Sequence, residues 1–219
     1  MRPADARTAI ESALHGRWLL DHPFYRRWSA GTVTREELTR YAGQYRHFEA
    51  ALPAILSEIA DGIPPSTARD AVLAGLADES GGGGTPSHLE LFDEFAGALG
   101  AGGGAPASAA TGHLTSVYAT AAGAGPVAAL AAVGAYELQA ADIAASKALG
   151  LRRHFQLDGA AIRFWDLHAE LDRDHADWTT SALADLATDE RQVTGWARAA
   201  ADAWWRFLDE RDEASADVA

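Results

Sequence analysis

The sequence predicts an all-α protein, and three observations support this fold class. Apolar residues recur every three or four positions in most segments, which is the spacing of a buried helix face. No segment shows the alternation of apolar and polar residues that marks a half-buried strand, and there is no repeat of fixed period. Capping residues, glycine and proline separate the helical segments. We therefore expect a bundle of about seven to eight helices.

Composition bounds the domain organisation and the classes of partner. With 219 residues, 48% of them hydrophobic, the chain suits one domain over 1–213 with a polar tail at 214–219. A net charge of -13 argues against nucleic acid and against a polybasic membrane patch. There is no cysteine, so any metal site must use His, Asp and Glu. The start has no signal-peptide core and no run approaches the length of a membrane span, so we expect a cytoplasmic protein.

The first part of the chain predicts three helices. An amphipathic helix covers 4–20, and a short helix beginning near Pro23 ends at Gly31. A capping box at 34–37 opens a long third helix. In that helix Tyr41 and Tyr45 belong to an aromatic face, a pattern that is typical of core packing.

The middle of the chain places two ionisable residues on either side of a helix break. A helix from about Ser66 ends at Glu79, and the run Gly81 to Gly84 interrupts it. The next helix begins near Pro86 and carries His88 in its first turn. Glu79 therefore closes one helix and His88 opens the next.

Two more helices follow a Gly/Ala/Pro loop. The first runs over about 108–122, and the second is a long Ala-rich helix from Pro126 to Gly150. Its small residues allow close packing, so this second helix is expected to be central. Glu137 lies among its apolar residues, where an unpaired charge is costly. Lys147, near its end, is the chain's only lysine against 17 arginines.

A late helix that contains 165–178 presents two imidazoles and a carboxylate on one face. At about 100° per residue, His168, Asp172 and His175 fall within roughly 60° of one another, whereas Asp174 points to the opposite side. These donors suit Fe, Mn or Zn. The same pattern also fits a solvated polar face, so the helix alone leaves both interpretations open. A last helix begins after Thr188 or Asp189.

Ligand-type residues on several helices indicate a metal centre inside a bundle. The ferritin-like version needs Glu-x-x-His, which the chain lacks. The order of ligand-type residues along the chain instead resembles that of the heme-oxygenase-like diiron oxidases, relatives of TenA and PqqC. The motifs that carry this resemblance are spread over nearly the whole chain. The resemblance implies two metal ions, Fe/Fe or Mn/Fe, with O2 as co-substrate and an external reductant. It assigns six ligands: Glu79, His88, Glu137, His168, Asp172 and His175. One departure is the Gly81 to Gly84 stretch, which is slightly long.

Within that family the sequence is most similar to the Chlamydia protein associating with death domains and its bacterial relatives, which supply p-aminobenzoate for folate. The resemblance implies that a tyrosine of the enzyme becomes the aromatic ring and a lysine gives the amino nitrogen. Tyr25 matches the sacrificed tyrosine, Tyr41 a second active-site tyrosine, and Lys147 the lysine. Lys147 lies ten residues after Glu137, about 15 Å along an ideal helix. Either the helix is distorted, or the lysine approaches from a far side of the cavity.

Two alternatives use the same fold. One is a dimetal oxidase that acts on an external small molecule, and the other is a metal-free TenA- or PqqC-like protein. In each case the expected partners are small molecules, with O2 in the oxidases, and a homodimer is possible. No nucleic acid or membrane partner is expected.

Overall fold

The computed structural model describes residues 1–216, except for the side chains of 172–173 and 214–216. These residues form nine α-helices and two short 3-10 helices, at Leu19–Asp21 and Gly159–Ile162. The α-helices are α1 (Pro3–Leu14), α2 (Pro23–Ala30), α3 (Arg35–Asp61), α4 (Thr67–Ser80), α5 (His88–Ala98), α6 (Ala109–Ala124), α7 (Pro126–Phe155), α8 (Arg163–Leu186) and α9 (Glu190–Ala216). Within this part of the chain the only β-type pairing is one isolated bridge between Gly82 and Thr85.

The all-α prediction is confirmed, but the predicted number of seven to eight helices was too low. The short α2 is present as predicted, because Pro23 fixes its first turn and the His22 side chain accepts a hydrogen bond from the Phe24 amide. Gly31, in the left-handed conformation, ends it. Helix α9 also reaches Ala216, so the first residues of the predicted polar tail are helical. Residues 217–219 lie outside the described part.

Helix α7 is the centre of the bundle and packs against α8, α9, α6 and α1. Its many alanines are buried, and a Cβ at Gly150 would lie 2.7 Å from a ring carbon of Trp28. Contrary to the expectation that no run is long enough, α7 reaches the length and apolarity of a membrane span, with a mean hydropathy of 1.3 over its most apolar window. Because 67% of that window is buried inside the bundle, packing accounts for its composition.

The helix ends that carry the site are fixed by local hydrogen bonds. The Thr34 hydroxyl accepts from the Glu37 amide, and the Glu37 carboxylate accepts from the Thr34 amide, so α3 begins with the predicted capping box. Ser87 and Glu90 form the same arrangement at the start of α5. Asp158 caps the 3-10 helix that leads directly into α8, and the backbone at Ile162, where the two elements meet, is not helical, with φ -125° and ψ 0°. These contacts fix where α3, α5 and the 3-10 helix before α8 begin.

Candidate active site

The helix break between α4 and α5 brings Glu79 and His88 together. Glu79 is the next-to-last residue of α4 and His88 the first residue of α5, and both are buried. The connecting loop closes through paired amides and carbonyls of Gly82 and Thr85. Gly81 has φ +66°, and a Cβ there would lie 2.6 Å from the Ser87 amide nitrogen. The glycine-rich stretch, although slightly long, thus places His88 Nδ1 3.0 Å from Glu79 Oε1.

His168 of α8 completes a three-residue cluster with Glu79 and His88. One ligand atom of each residue lies within 4.8 Å of the others, and the rings of His88 and His168 are 4.5 Å apart between centroids. His168 Nδ1 lies 2.7 Å from the Phe164 carbonyl oxygen. When Nδ1–H donates to that carbonyl, the lone pair is on Nε2, which is the arrangement of a metal-ligating histidine with an orienting backbone partner.

Glu137 and His175 form the second half of the candidate centre. His175 Nδ1 lies 3.8 Å from Glu137 Oε2, and the two side chains are 8% and 11% exposed. On the other side of the ring, His175 Nε2 lies 3.7 Å from an oxygen of the exposed Asp78. Asp172, the sixth predicted ligand, lies on α8 between His168 and His175, but its side chain is outside the described residues.

The chemistry of these residues fits a metal centre. Burial alone would raise the pKa of Glu79, but its contacts with His88 and the nearby imidazoles of His168 and His175 outweigh burial and lower it. A carboxylate and neutral imidazoles are the donors that Fe, Mn and Zn prefer. The 3.0 Å between His88 Nδ1 and Glu79 Oε1 also suits two adjacent ligands on one ion, since bonds of about 2.1 Å at right angles place their ends about 3 Å apart.

A narrow cavity of about 20 Å³ adjoins this cluster. Its volume suffices for roughly one water-sized molecule. Sequence reasoning missed three polar residues at this cavity, namely Tyr45, Glu49 and Tyr136. Glu49 lies four residues after Tyr45 on the aromatic face of α3, a position that by itself does not distinguish it from an ordinary polar residue. The lining residues are Tyr45, Phe48, Glu49, Leu52, Glu79, Tyr118, Val133, Tyr136, Glu137 and His168.

A second polar cluster joins the two predicted tyrosines to the lysine. The hydroxyls of Tyr25 and Tyr41 are 2.8 Å apart, and Lys147 Nζ donates to the Tyr41 hydroxyl at 2.6 Å. All three residues are at most 2% exposed. Helix α7 is continuous between Glu137 and Lys147, so the lysine meets the tyrosines at a place separate from the metal ligands rather than through a distorted helix.

Aromatic rings enclose the lysine ammonium of this second cluster. Nζ lies 4.0 Å from the ring centroid of Trp165 and 4.8 Å from those of Tyr25 and Tyr45, distances at which a cation is attracted to the ring face. Burial raises the pKa of the Tyr25 hydroxyl and that of Tyr41 above the usual range. Both phenols therefore stay protonated at neutral pH.

Tyr45 connects the two clusters. Its ring centroid is 5.5 Å from that of Tyr41, and its hydroxyl lies 2.6 Å from the Tyr136 hydroxyl. It also lines the small cavity together with Glu79 and His168. A continuous set of aromatic contacts thus leads from the candidate metal ligands to Tyr41.

Comparison with known proteins identifies the family. Residues 39–207 match the family of proteins described as iron-containing redox enzymes. The chain belongs to this family. The match covers most of the bundle and includes all six predicted ligands, and it confirms the resemblance to heme-oxygenase-like diiron oxidases.

Curated relatives of this redox enzyme are named 4-aminobenzoate synthase. The protein of that name from Nitrosomonas europaea is 34% identical, covering 91% of this chain and 88% of the relative. One from Chlamydia muridarum is 29% identical, covering 91% of this chain and 87% of the relative. One from Chlamydia trachomatis is 29% identical over 83% of this chain and 80% of the relative.

Solved structures show the same fold at low sequence identity. A CADD-like protein of unknown function from Nostoc punctiforme has a TM-score of 0.73 at 16% identity, covering 93% of this chain and 97% of its own. A TenA homologue from P. horikoshii has a TM-score of 0.74 at 12% identity, covering 96% of this chain and 98% of its own. These likenesses establish the heme-oxygenase-like fold of the redox enzyme.

Proposed function

We propose that the chain is an oxygen-dependent dimetal enzyme that forms 4-aminobenzoate from its own residues, with Tyr25 as the source of the ring and Lys147 as the source of the amino nitrogen. The observation that carries the proposal is the buried Tyr25–Tyr41–Lys147 cluster, in which Lys147 Nζ lies 4.8 Å from the Tyr25 ring centroid. The names of the curated relatives support the product.

The metal centre would supply the oxidising chemistry by binding and activating O2. Glu79, His88 and His168 would hold one ion, and Glu137 and His175, with Asp172, a second. The match to iron-containing redox enzymes supports iron. Both Fe/Fe and Mn/Fe pairs suit this donor set.

The protein's own residues hold the reacting groups in place and exclude water. Tyr41 accepts a hydrogen bond from Lys147 and shares one with Tyr25, which fixes the amine beside the phenol. The aromatic enclosure also keeps water away from Lys147, which is 2% exposed. Tyr25 and Tyr45 have equal ring distances to Nζ, so the position of the mass loss must identify the donor of the ring.

The space between the candidate ligands favours an internal substrate over an external one. The cavity that Glu79, Glu137 and His168 share has only about 20 Å³, far below the roughly 300–1,000 Å³ of usual small-molecule sites. Two surface clefts, of about 290 and 400 Å³, each border only one described candidate ligand, Glu137 and His88 respectively. An external substrate that contacts several ligands would therefore need this shared space to widen.

Isotope labelling tests the proposal directly, because the chain has a single lysine. Protein that carries ε-15N-lysine and ring-13C-tyrosine is loaded with Fe or Mn/Fe, reduced and exposed to O2. We expect 4-aminobenzoate with one 15N and a labelled ring, no more than one product molecule per chain, and a mass loss that maps to Tyr25. Tyr25→Phe should make none. Unlabelled product from added small molecules, or repeated turnover by an unchanged chain, would favour the external-substrate oxidase instead.

A further inference from the structure

One buried carboxylate beside the candidate centre has no role in the six-ligand set. Glu49 of α3 is 4% exposed and lines the small cavity together with Glu79, Glu137 and His168. It follows Tyr45 by one helical turn, so both side chains lie on the face of α3 that is directed to the centre. We propose that Glu49 is a further protein ligand of the metal centre. This inference rests on the dimetal site of the proposed function.

The first argument is the cost of gathering carboxylates in an apolar place. Glu49, Glu79 and Glu137 border a cavity of about 20 Å³, whose other walls include the apolar side chains of Leu52 and Val133. Carboxylates in such surroundings repel one another and lose hydration. A cation among them removes both costs, since it turns the repulsion between the carboxylates into shared attraction to one charge.

The second argument is charge balance. Two divalent ions held by three carboxylates and three neutral imidazoles leave one net positive charge. A fourth carboxylate from Glu49 makes the centre neutral, and a neutral centre is less costly to bury. Burial raises the pKa of the Tyr45 hydroxyl, and the negative charge of the nearby Glu49 raises it further.

Glu37 shows what an ordinary buried glutamate on the same helix looks like. It is also 4% exposed, but its carboxylate accepts from Arg27 at 2.5 Å and from the Thr34 amide at 2.6 Å. An ion pair and a capping box thus account for the burial of Glu37. Glu49 borders a different set of side chains, since it shares its cavity with Glu79, Glu137 and His168, which would hold the metal.

The test compares Glu49→Gln with Glu37→Gln, which matches it in residue type, helix and burial. Metal content is measured by elemental analysis after loading with Mn(II) or Fe(II), and affinity by Mn(II) titration calorimetry. We expect at least a tenfold loss of affinity at one of the two sites for Glu49→Gln, with wild-type content and affinity for Glu37→Gln. Unchanged affinity in Glu49→Gln would overturn the proposal.

Stability without metal separates a ligand from a structural carboxylate. If Glu49 is a metal ligand, Glu49→Gln relieves repulsion between carboxylates in the metal-free protein. The metal-free variant should therefore have a higher melting temperature than metal-free wild type. Its melting temperature should also rise less when Mn(II) is added. If Glu49 instead has a structural role, Glu49→Gln should have a lower melting temperature than wild type both with and without metal. That result would contradict the proposal.

A second variant covers the case in which Glu49→Gln does not fold. Glu49→Asp keeps the charge but shortens the reach, and should bind Mn(II) more weakly than wild type at one site. Equal affinity would overturn the inference. If wild type itself binds no metal, the proposed function and this inference both fail. If wild type and Glu49→Gln bind equally, only this inference fails.

Discussion

The two buried polar clusters of this enzyme differ in what they need to be complete. The tyrosine–lysine cluster is internally hydrogen-bonded, since Lys147 donates to Tyr41 and Tyr41 pairs with Tyr25. In the cluster of Glu79, His88 and His168, acceptor atoms converge at distances that suit a shared cation. The first cluster thus satisfies its polar groups within itself, whereas the second gathers donor atoms at distances that suit an ion.

The electrostatics of the two clusters are also opposite. The pKa of Glu79 is lowered by the neighbouring imidazoles, which keeps a negative charge where an ion would bind. The pKa values of the Tyr25 and Tyr41 hydroxyls are raised by burial, which keeps both phenols protonated. This division predicts that the two clusters can be disabled separately. Variants in the first, the tyrosine–lysine cluster, should lose product and keep the metal, and variants in the second should lose the metal.

The largest separation is expected for His168→Ala. Loss of one imidazole from the cluster should remove at least one metal ion per chain and reduce 4-aminobenzoate formation by more than 100-fold, because a three-residue half-site loses a third of its donors. Elemental analysis and product measurement test this. His113→Ala, at an exposed position on α6, is the control and should keep both properties. Full metal content in His168→Ala would contradict the assignment.

Lys147→Met should break the other cluster and leave the metal centre intact. Metal content should equal that of wild type, while product falls below detection because the amine donor is gone. The free energy of unfolding should stay the same or rise by about 1 kcal/mol, since methionine fills a similar volume without a buried charge. Denaturant unfolding and metal analysis together check both parts. A Lys147→Met protein without metal would show that the clusters depend on each other.

The six candidate ligands were assigned by the resemblance to heme-oxygenase-like diiron oxidases, and local patterns drew attention to several of them. His168 and His175 lie on one helix face, and Glu79 and His88 flank a glycine break that closes the distance between them. Sequence reasoning did not reach Glu49, because a single glutamate on an aromatic helix face looks like any polar residue until α4, α7 and α8 are placed around it. The route of Lys147 was also undecided, since ten residues of helix separate it from Glu137 and only the packing of α2 and α3 shows which residues it meets.

The total of seven to eight helices was too low, although the segments predicted one by one already number nine and include the short α2. Spacing locates such segments, but the exact start of α2 depends on a single contact, in which the His22 ring accepts a hydrogen bond from the Phe24 amide. That contact involves a histidine, which is not among the favoured capping residues. The fold class therefore follows from periodicity, whereas element boundaries depend on individual side-chain contacts.

A backbone change can test how the loop assembles the metal cluster without altering a ligand. Gly81→Ala should destabilise the protein by about 2–3 kcal/mol and weaken Mn(II) binding by about tenfold, because its Cβ would lie 2.6 Å from the Ser87 amide beside His88. Gly83→Ala is the matched control. It also has positive φ, at +60°, but a Cβ there meets nothing within 4 Å. Gly83→Ala should lower the free energy of unfolding by about 1–2 kcal/mol and leave the affinity for Mn(II) unchanged. Equal affinities would show that the loop does not position His88.

The smallest effect expected concerns the protonated phenols of the tyrosine–lysine cluster at high pH. Because the folded pKa of Tyr41 is raised, its contribution to stability is fully present below the unfolded pKa of 10.0 and is lost as pH rises toward the folded value. Each such group makes stability fall by about 1.4 kcal/mol per pH unit above that point. Tyr41→Phe should therefore be about 1 kcal/mol less stable at neutral pH, through the lost hydrogen bonds, yet show a shallower decline between pH 10 and 11. Denaturant unfolding at a series of pH values measures both quantities. A decline as steep as that of wild type would mean that Tyr41 already ionises in the folded protein, and the lysine would then have a phenolate partner rather than a phenol.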